Sequence, residues 1–312
     1  MIPIERKGLV IKSTGKWYKI RMEDGEIVDA QIRGRFRIQG LKSTNPIAVG
    51  DHVILEEEKD ETWVIKTILD RKNYIIRKSV NLSKQSHIIA SNIDQAFLFV
   101  TVDRPQTSYG FIDRFLVTAE AYKIPVVILI NKMDDYDEFE LEKAEEIEDI
   151  YTRIGYEVMK ISALQESSVA TLKNRFKGKV SMLGGHSGTG KSTLVNAISP
   201  GLDIKVMEVS SSHSKGQHTT TFAEMHELID GGFIIDTPGI KGFGIVNIEK
   251  EELRMLFPEM MALLPECKFN NCRHLNEPKC AVLKAIEKGN VEETRYNSYL
   301  TMYEDEQSNS YR

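Results

Sequence analysis

Cysteine is scarce in this sequence, which holds three cysteines among 312 residues, all of them between positions 267 and 280. A small and odd number of cysteines argues against a scaffold held together by disulfides and favours metal ligands or free thiols. Long apolar runs are also missing: no stretch of about 18 apolar residues occurs, so we predict no membrane-spanning helix. The first residues, MIPIERKGLV, lack a basic segment followed by an apolar one, so we expect no secretory signal and a cytoplasmic location.

A strong positive charge is absent as well, because the formal net charge is −5 at pH 7. This value argues against non-specific binding of nucleic acid over the whole surface. The charges are uneven, however: residues 1–80 carry 16 Lys and Arg against 12 Asp and Glu. A mildly basic N-terminal part on an acidic body favours a local contact with a polyanion. The length of 312 residues indicates two or three domains.

Residues 8–70 contain five short β-rich segments separated by turn-forming residues. This pattern predicts a small barrel, with the oligonucleotide-binding (OB) barrel as the first expectation. We place this domain at residues 1–75. Its predicted strands are GLVIKS, WYKIRM, EIVDAQIRG, DHVILEE and TWVIKTIL.

One segment of the barrel carries three arginines in alternate positions. Arg33, Arg35 and Arg37 share one face of a strand, because side chains alternate with period two. No acidic residue occurs from Ala30 to Asn45. We interpret this face as an RNA-binding surface that contacts phosphates; the alternative is a face that is merely solvated.

Residues 71–93 also lack acidic residues, and we interpret them as a linker between the barrel and a second domain at 76–248. The stretch either extends the basic surface or is a flexible hinge with ordinary charges. Its basic residues are Arg71, Lys72, Arg77, Lys78 and Lys84.

From Asp94 onward, strands that are apolar throughout alternate with helical patterns. This alternation predicts a parallel sheet covered by helices on both faces, with ligands at the carboxyl ends of the strands. The predicted strands are 95–102, 125–130 and 157–161, and the predicted helices are 111–122, 138–153 and 168–176.

Residues 180–193, VSMLGGHSGTGKST, join an apolar strand-like run to a helix through a glycine-rich loop. They match the phosphate-binding pattern G-x-x-x-x-G-K-S/T, in which backbone N–H groups and the helix N-terminus hold an anion. Lys191 is expected to reach the β- and γ-phosphates, and Ser192 to bind Mg²⁺. The alternative is a glycine-rich turn that happens to hold a lysine. The predicted phosphate-binding residues are Gly185, His186, Ser187, Gly188, Thr189, Gly190, Lys191, Ser192 and Thr193.

Two short motifs follow the second and third predicted strands and suit a guanine base. In Asn131-Lys132-Met133-Asp134, the carboxylate can accept two hydrogen bonds from guanine N1–H and the exocyclic amine, and the lysine stem can lie along the base. Ser162-Ala163-Leu164 suits a backbone N–H directed at guanine O6. The alternative for the first motif is a turn that caps the next helix. An ATP-dependent kinase conflicts with it, since adenine lacks that pair of donors.

Downstream of the phosphate loop, the strand ending in Asp236-Thr237-Pro238-Gly239 has the pattern of a nucleotide switch. Asp236 is expected to hold Mg²⁺ through water, and the Gly239 N–H to face the γ-phosphate. The polar stretch 210–221 lies between these motifs, and one of its threonines could complete the Mg²⁺ shell. The alternative there is a disordered loop.

The C-terminal part, which we place at residues 249–312, carries the cysteines beside a histidine. Cys267, Cys272, His274 and Cys280 form the Cys₃His set that is typical of tetrahedral structural zinc, with four protein ligands and no open position. The alternative is free cysteines in a loop. Helices are predicted at 249–264 and 281–302.

Together these motifs resemble those of GTPases, but the guanine motifs precede the phosphate loop and Asp-x-x-Gly comes last, which is a circular permutation. With the barrel and the cysteine cluster, the chain from Gly8 to Glu304 resembles the ribosome small-subunit-dependent GTPase A family (RsgA/YjeQ), bacterial assembly factors. The run from Gly216 to Thr221 is particularly similar. The resemblance implies an OB barrel, a central circularly permuted α/β P-loop GTPase domain and a helical zinc-binding domain.

The same resemblance implies an enzyme that converts GTP to GDP and phosphate at a low intrinsic rate. It implies stimulation by the small ribosomal subunit, contact with its rRNA, and help in late maturation of that subunit. We expect a monomer. The second candidate function is a nucleotide-gated RNA-binding adaptor in which hydrolysis is incidental.

The catalytic residue is not where Ras-like GTPases carry a water-orienting glutamine, because Ile240 stands there. His218 in the polar stretch is the best candidate, as the resemblance also implies; the alternative is that it orders the loop or contacts RNA. Among the neighbouring threonines we choose Thr220 for Mg²⁺.

Overall fold

The computed structural model describes residues 5–32, 46–58, 62–78, 86–202, 223–236 and 248–309. The chain divides into two compact units, residues 1–96, 163–183 and 191–240 in the first and residues 97–162, 184–190 and 241–312 in the second. In chain order, the strands and helices are β1 (Glu5–Ser13), β2 (Trp17–Met22), β3 (Ile27–Ile32), β4 (His52–Glu57), β5 (Trp63–Ile68), β6 (Tyr74–Lys78), β7 (Ser86–Ser91), β8 (Gln95–Val100), α1 (Tyr109–Ala121), β9 (Val126–Ile130), α2 (Glu138–Ile154), β10 (Glu157–Lys160), α3 (Glu166–Phe176), β11 (Val180–Gly184), α4 (Lys191–Ile198), β12 (Glu224–Glu227), β13 (Phe233–Asp236), α5 (Lys250–Leu253), α6 (Pro258–Leu263), α7 (Ala281–Glu287) and α8 (Glu293–Asn309).

The first unit begins with a five-stranded barrel. Strand β1 pairs with both β2 and β4, so the sheet closes in the order β1-β2-β3-β5-β4. Only the β3–β5 pair is parallel among these barrel pairs. This is the arrangement of an OB barrel, and its strands coincide with the five predicted segments.

The barrel interior is filled by alternate residues of its strands. In β2, Tyr18, Ile20 and Met22 are buried and the residues between them face outward, as period-two alternation requires. The buried apolar core consists of Val10, Tyr18, Ile20, Met22, Val28, Ala30, Ile47, Val53, Leu55, Trp63 and Ile65.

The stretch interpreted from sequence as a linker contains the antiparallel hairpin β6–β7. Its apolar residues Ile75, Ile88 and Ala90 are buried. This part of the stretch is therefore packed into the fold, which differs from the flexible hinge that was one of the two expectations. The hairpin is joined to the barrel by Asp51, which is fully buried. The Asp51 carboxylate accepts hydrogen bonds from Arg71 Nε and Ser91 Oγ, both at 2.6 Å.

Three further strands of the first unit carry the later motifs. Strand β11 is parallel to β13, and β12 is antiparallel to β13. Strand β12 also meets β1 of the barrel, where Lys12 faces Glu224 and their side chains form a salt bridge of 2.7 Å. The barrel and the strands that flank the switch motif therefore share one sheet within this unit.

In the second unit, β8 lies beside β9, and β9 is parallel to β10. Every residue of β8 and β9 is buried, as predicted for strands covered on both faces. Helix α2 begins at a capping box formed by Asp137 and Glu140 and ends at Gly155, whose φ of 109° only glycine adopts easily.

The C-terminal helices of the second unit surround a separate apolar core. This core includes Val117 of α1, so it extends onto the helix that follows β8. Within the described residues, no helix is both long enough and apolar enough to cross a bilayer. The other buried members of the core are Ile248, Leu253, Phe257, Met260, Cys267, Cys272, Cys280, Val282, Ala285, Val291, Tyr299, Met302 and Tyr303.

Candidate nucleotide and metal sites

The Asn-Lys-x-Asp motif starts one residue after the end of β9. The Asn131 N–H donates to Val100 O of β8 at 2.9 Å, and the Met133 N–H donates to Ile161 O beyond β10 at 3.2 Å. Tyr136 closes the turn, because its hydroxyl donates to Asn131 O at 2.7 Å and accepts from Val102 N at 2.8 Å. Burial raises the pKa of Tyr136 to about 12, so this donor remains protonated at neutral pH.

Asn131 connects the guanine motif to the phosphate loop. Its side-chain Nδ2 donates to Thr189 O at 2.8 Å, and both residues are buried. Gly190 has a φ of +94°, and a Cβ there would lie 2.1 Å from Asn131 Nδ2. The glycine is therefore required by the backbone conformation and by the close approach of the amide.

The other loop glycines also have positive φ, namely +133° at Gly185 and +80° at Gly188. A Cβ on Gly185 would lie 2.7 Å from Phe99 O, so β8 leaves no room for a side chain. The Thr189 hydroxyl donates to His186 O at 2.9 Å and closes the loop on itself. The chain turns as expected of a phosphate nest, and α4 begins immediately afterwards at Lys191.

Two residues that sequence reasoning missed support this loop. The Phe111 ring in the first turn of α1 lies against the His186 ring, with centroids 3.9 Å apart. Pro105 packs beside Gly188, where an added Cβ would lie 3.3 Å from its Cδ. Only their position in the sequence could have indicated this role, because both residues follow a buried strand whose carboxyl end was expected to face the ligand.

Lys132 and Asp134 of the guanine motif have different surroundings. Lys132 adopts a φ of +70°, and its ammonium group donates to Arg104 O. Asp134 is exposed, so its carboxylate is accessible to an external ligand. In the later motif, Ser162 and Ala163 are buried, whereas Leu164 is 76% exposed.

Several predicted site residues lie outside the described part of the chain. These are Arg33, Arg35, Arg37, His218, Thr220 and Gly239. For Asp236, the backbone ends β13, but its side chain is not among those described. The hydroxyl-bearing residues at the start of α4, Ser192 and Thr193, are exposed, whereas Lys191 is buried.

The structure brings the four predicted metal ligands together. Cys267, Cys272, His274 and Cys280 are buried, and their ligand atoms all lie within 4.8 Å of one another. His274 Nδ1 lies 3.3 Å from Cys280 Sγ and 3.8 Å from Cys267 Sγ. A tetrahedral zinc ion with its usual bond lengths separates nitrogen and sulfur ligands by about 3.6 Å, so the spacing fits.

The chemistry of the cluster also fits a metal ion. All three cysteines are free of disulfide bonds. Burial raises the pKa of the Cys272 thiol to about 12 and raises that of Cys280, so a bound cation is needed to hold them as thiolates at neutral pH. Tyr296 fixes the backbone at the histidine, since its hydroxyl donates to His274 O at 2.7 Å.

Comparisons with known proteins agree with this geometry. The sequence model described as RsgA GTPase matches residues 68–246, and the one described as RsgA N-terminal domain matches residues 7–65. A protein of Bacteroides fragilis named small ribosomal subunit biogenesis GTPase RsgA is 53% identical over 306 residues, which cover 98% of this chain and 99% of that one. A protein of the same name from Christiangramia forsetii is 54% identical over 306 residues, 97% of each chain.

Two solved structures have the same architecture. The crystal structure of YjeQ from Thermotoga maritima matches with a TM-score of 0.78 and 37% identity, covering 97% of this chain and 98% of that one. YloQ, described as a circularly permuted GTPase, matches with a TM-score of 0.76 and 31% identity, covering 98% and 96%. The predicted architecture of barrel, permuted GTPase domain and C-terminal Cys₃His region is confirmed.

Proposed function

This chain belongs to the RsgA GTPase family, and we propose that it hydrolyses GTP on the small ribosomal subunit and assists the late maturation of that subunit. The observation that supports the proposal is the hydrogen bond from Asn131 to Thr189 O, which joins the turn proposed to read guanine to the loop proposed to bind phosphate. Family membership supplies the partner: the curated relatives at 53% and 54% identity are named for biogenesis of the small ribosomal subunit.

Guanine recognition falls to the residues around Asn131. The exposed Asp134 carboxylate accepts hydrogen bonds from guanine N1–H and its amine, and Lys132 lies along the base. Met133 completes the turn, and the backbone of Ser162, Ala163 and Leu164 faces guanine O6.

Phosphate binding falls to the loop Gly185–Thr193, with Lys191 on the β- and γ-phosphates. Ser192, Thr220 and Asp236 hold Mg²⁺, and Gly239 contacts the γ-phosphate. When it is bound, the metal ion neutralises part of the negative charge that develops on the phosphates. His218 orients or deprotonates the water that adds to the γ-phosphorus, while the bond to the β-phosphate oxygen breaks and GDP leaves.

Cys267, Cys272, His274 and Cys280 hold one structural Zn²⁺, which fixes the loop between α6 and α7. Arg33, Arg35 and Arg37 contact rRNA phosphates from the barrel. If all three are changed to Glu, binding to small subunits should weaken most at low salt, where phosphate contacts contribute most. We propose that the protein acts in the cytoplasm as a monomer, in three domains at 1–75, 76–248 and 249–312.

The experiment that tests the function is GTP turnover with and without purified small ribosomal subunits. Large subunits and free RNA serve as controls. Strong stimulation by small subunits alone supports the proposal. Absence of stimulation, with GTP-dependent binding intact, indicates an adaptor that binds RNA under nucleotide control.

A further inference from the structure

The C-terminal part of the second unit contains a cavity of about 370 Å³, which is lined by charged residues, an asparagine and a phenylalanine and by none of the four clustered Cys and His residues. Its volume lies within the range of roughly 300–1,000 Å³ that is typical of small-ligand sites. The cavity lies between the first C-terminal helical turns and the loop that carries the cysteine cluster. The lining residues are Glu251, Arg254, Phe269, Asn271, Arg273 and Glu277.

Phe269 gives the cavity an aromatic face that solvent reaches. Phe269 is 39% exposed, so part of its ring is open to solvent. Lys268 lies over the same ring, with Nζ 5.1 Å from the centroid. Lys268 therefore covers one face of the ring. Aromatic rings in positively charged grooves are the platforms on which unpaired bases stack.

The two arginines supply positive charge. Arg254 is fixed by donation from Nη1 to Cys272 O at 2.7 Å, and among the described residues no carboxylate lies within 4.0 Å of it. Arg273 is 55% exposed, with Nε 3.6 Å from Glu277 Oε1. Guanidinium groups held in this way are suited to a phosphodiester.

Glu277 is an ionised carboxylate that balances the charge of Arg273, so Arg254 is the guanidinium of the cavity that has no carboxylate partner among the described residues. The Glu277 carboxylate accepts backbone hydrogen bonds from Arg273 N at 2.9 Å, Leu275 N at 2.9 Å and Asn276 N at 3.2 Å. Partial burial opposes ionisation, but these donors hold the pKa of Glu277 at about 2. Its lone pairs are thus used within the loop. Glu251, which is exposed, can instead accept from the N–H groups of a base.

We propose that this cavity binds one unpaired nucleotide of RNA, with the base stacked on Phe269 and its phosphate beside Arg254 and Arg273. Glu251 and Asn271 contact the edge of the base. A bare anion explains the arginines but neither the exposed ring nor the rim carboxylate. The proposal rests on the proposed function, which makes ribosomal RNA the available ligand.

The test compares Phe269→Ala with a matched variant, Phe139→Ala. Phe139 is 61% exposed and also has a lysine over its ring, Lys143 Nζ at 4.2 Å, but it lies on the acidic helix α2. Full-length protein is bound to purified small subunits with a non-hydrolysable GTP analogue, and affinity is measured. Loss of one stacked base predicts binding that is roughly 5-fold to 100-fold weaker for Phe269→Ala and unchanged for Phe139→Ala.

Ultraviolet cross-linking of the same complex locates the contact. We expect an rRNA nucleotide on the peptide that contains Phe269, and restored affinity in Phe269→Trp. Zinc content must equal that of wild type, so that loss of the cluster does not explain weaker binding. Equal affinity of the two alanine variants overturns the proposal, as does a cross-link from this peptide to a ribosomal protein instead of RNA.

Failure of the inference is distinguishable from failure of the proposed function. Stimulation of wild-type GTP turnover by small subunits tests the function and does not depend on Phe269 cross-linking. If wild type is stimulated and the two alanine variants behave alike, the cavity is not an RNA site although the function stands.

Discussion

Arg295 of α8 forms a salt bridge with Asp113 of α1 in the interior of the second unit. The atoms Nη1 and Oδ1 are 2.9 Å apart, and the two side chains are 1% and 0% exposed. Glu259 of α6 binds the same guanidinium at 2.8 Å, and the Tyr151 hydroxyl donates to Asp113 Oδ1 at 2.7 Å. Burial and the neighbouring Asp113 raise the pKa of Tyr151 well above its usual value, so it stays a donor.

This network connects the C-terminal helices to the helix that supports the phosphate loop. Asp113 lies two residues after Phe111, whose ring contacts His186. The C-terminal region is therefore attached, through one helix, to the residues expected to hold the triphosphate.

We predict that Arg295→Met lowers the free energy of unfolding by about 3–5 kcal/mol, because it leaves the Asp113 carboxylate buried without its cation. Arg153→Ala is the matched control. Arg153 pairs with Glu292 at 2.5 Å, but the side chains are 49% and 31% exposed, so the expected loss is below about 1 kcal/mol. Urea unfolding followed by circular dichroism measures both. Equal midpoints would show that the buried network contributes no more than a surface ion pair.

Gly190→Ala should weaken GTP binding by about tenfold or more. The φ of +94° strains any side chain, and the new Cβ would lie 2.1 Å from Asn131 Nδ2, which must then move away from Thr189 O. Gly289→Ala has a similar backbone strain, with φ +71°, but nothing lies within 4 Å of its Cβ. Binding of a fluorescent GTP analogue should be unaffected in that control. If Gly190→Ala bound the GTP analogue as tightly as Gly289→Ala, the hydrogen bond between Asn131 and the phosphate loop would not be needed for GTP binding.

The features that could be predicted from the sequence are those that depend on local sequence patterns. The barrel strands, the buried strands β8 and β9 and the turn of the candidate phosphate loop follow from alternation, apolar runs and glycine spacing. The four residues of the candidate metal site follow from residue type. Strand β12 was missed because its sequence, Glu-Met-His-Glu, has no strand signal of its own. It exists through its pairing with β13 and β1, and such long-range register cannot be seen locally.

The residues that pack against the candidate nucleotide site were missed for a similar reason. Phe111 and Pro105 resemble ordinary helix and loop residues until the fold places them against His186 and Gly188. The hairpin β6–β7 was missed because its basic residues suggested a linker. Its apolar residues Ile75 and Ile88 are nevertheless buried in the fold.

His218→Ala should lower GTP turnover on small subunits by roughly 10²-fold while leaving GTP affinity unchanged, since positioned general acid–base groups contribute on that order. His213→Ala, in the same polar stretch of sequence, is the control and should keep full activity. Turnover is measured as phosphate release at saturating subunits. Full activity of His218→Ala would remove the proposed catalytic role.

Freshly purified protein that has not been exposed to a chelator should contain one zinc ion per chain, as measured by elemental mass spectrometry. Cys280→Ser should lose the ion, because three ligands hold structural zinc poorly and His274 Nδ1 loses its neighbour at 3.3 Å. His226→Ala, a histidine of β12 outside the cluster, should retain it. Zinc-free wild-type protein would contradict the assignment.

Asp134→Asn should reduce GTP affinity by about 10²-fold or more. The charged carboxylate is expected to accept two hydrogen bonds from guanine, each worth about 1.5–3 kcal/mol, and an amide can accept only one of them. The neighbouring Asp135→Asn is the control, since Asp135 is also exposed but its carboxylate faces Arg104 Nη2 at 3.5 Å. Competition between labelled GTP and unlabelled ATP measures the outcome: wild type and Asp135→Asn should prefer GTP strongly, and Asp134→Asn should lose most of that preference. Equal competition by ATP in wild type would mean that the Asn131–Asp134 turn does not read guanine.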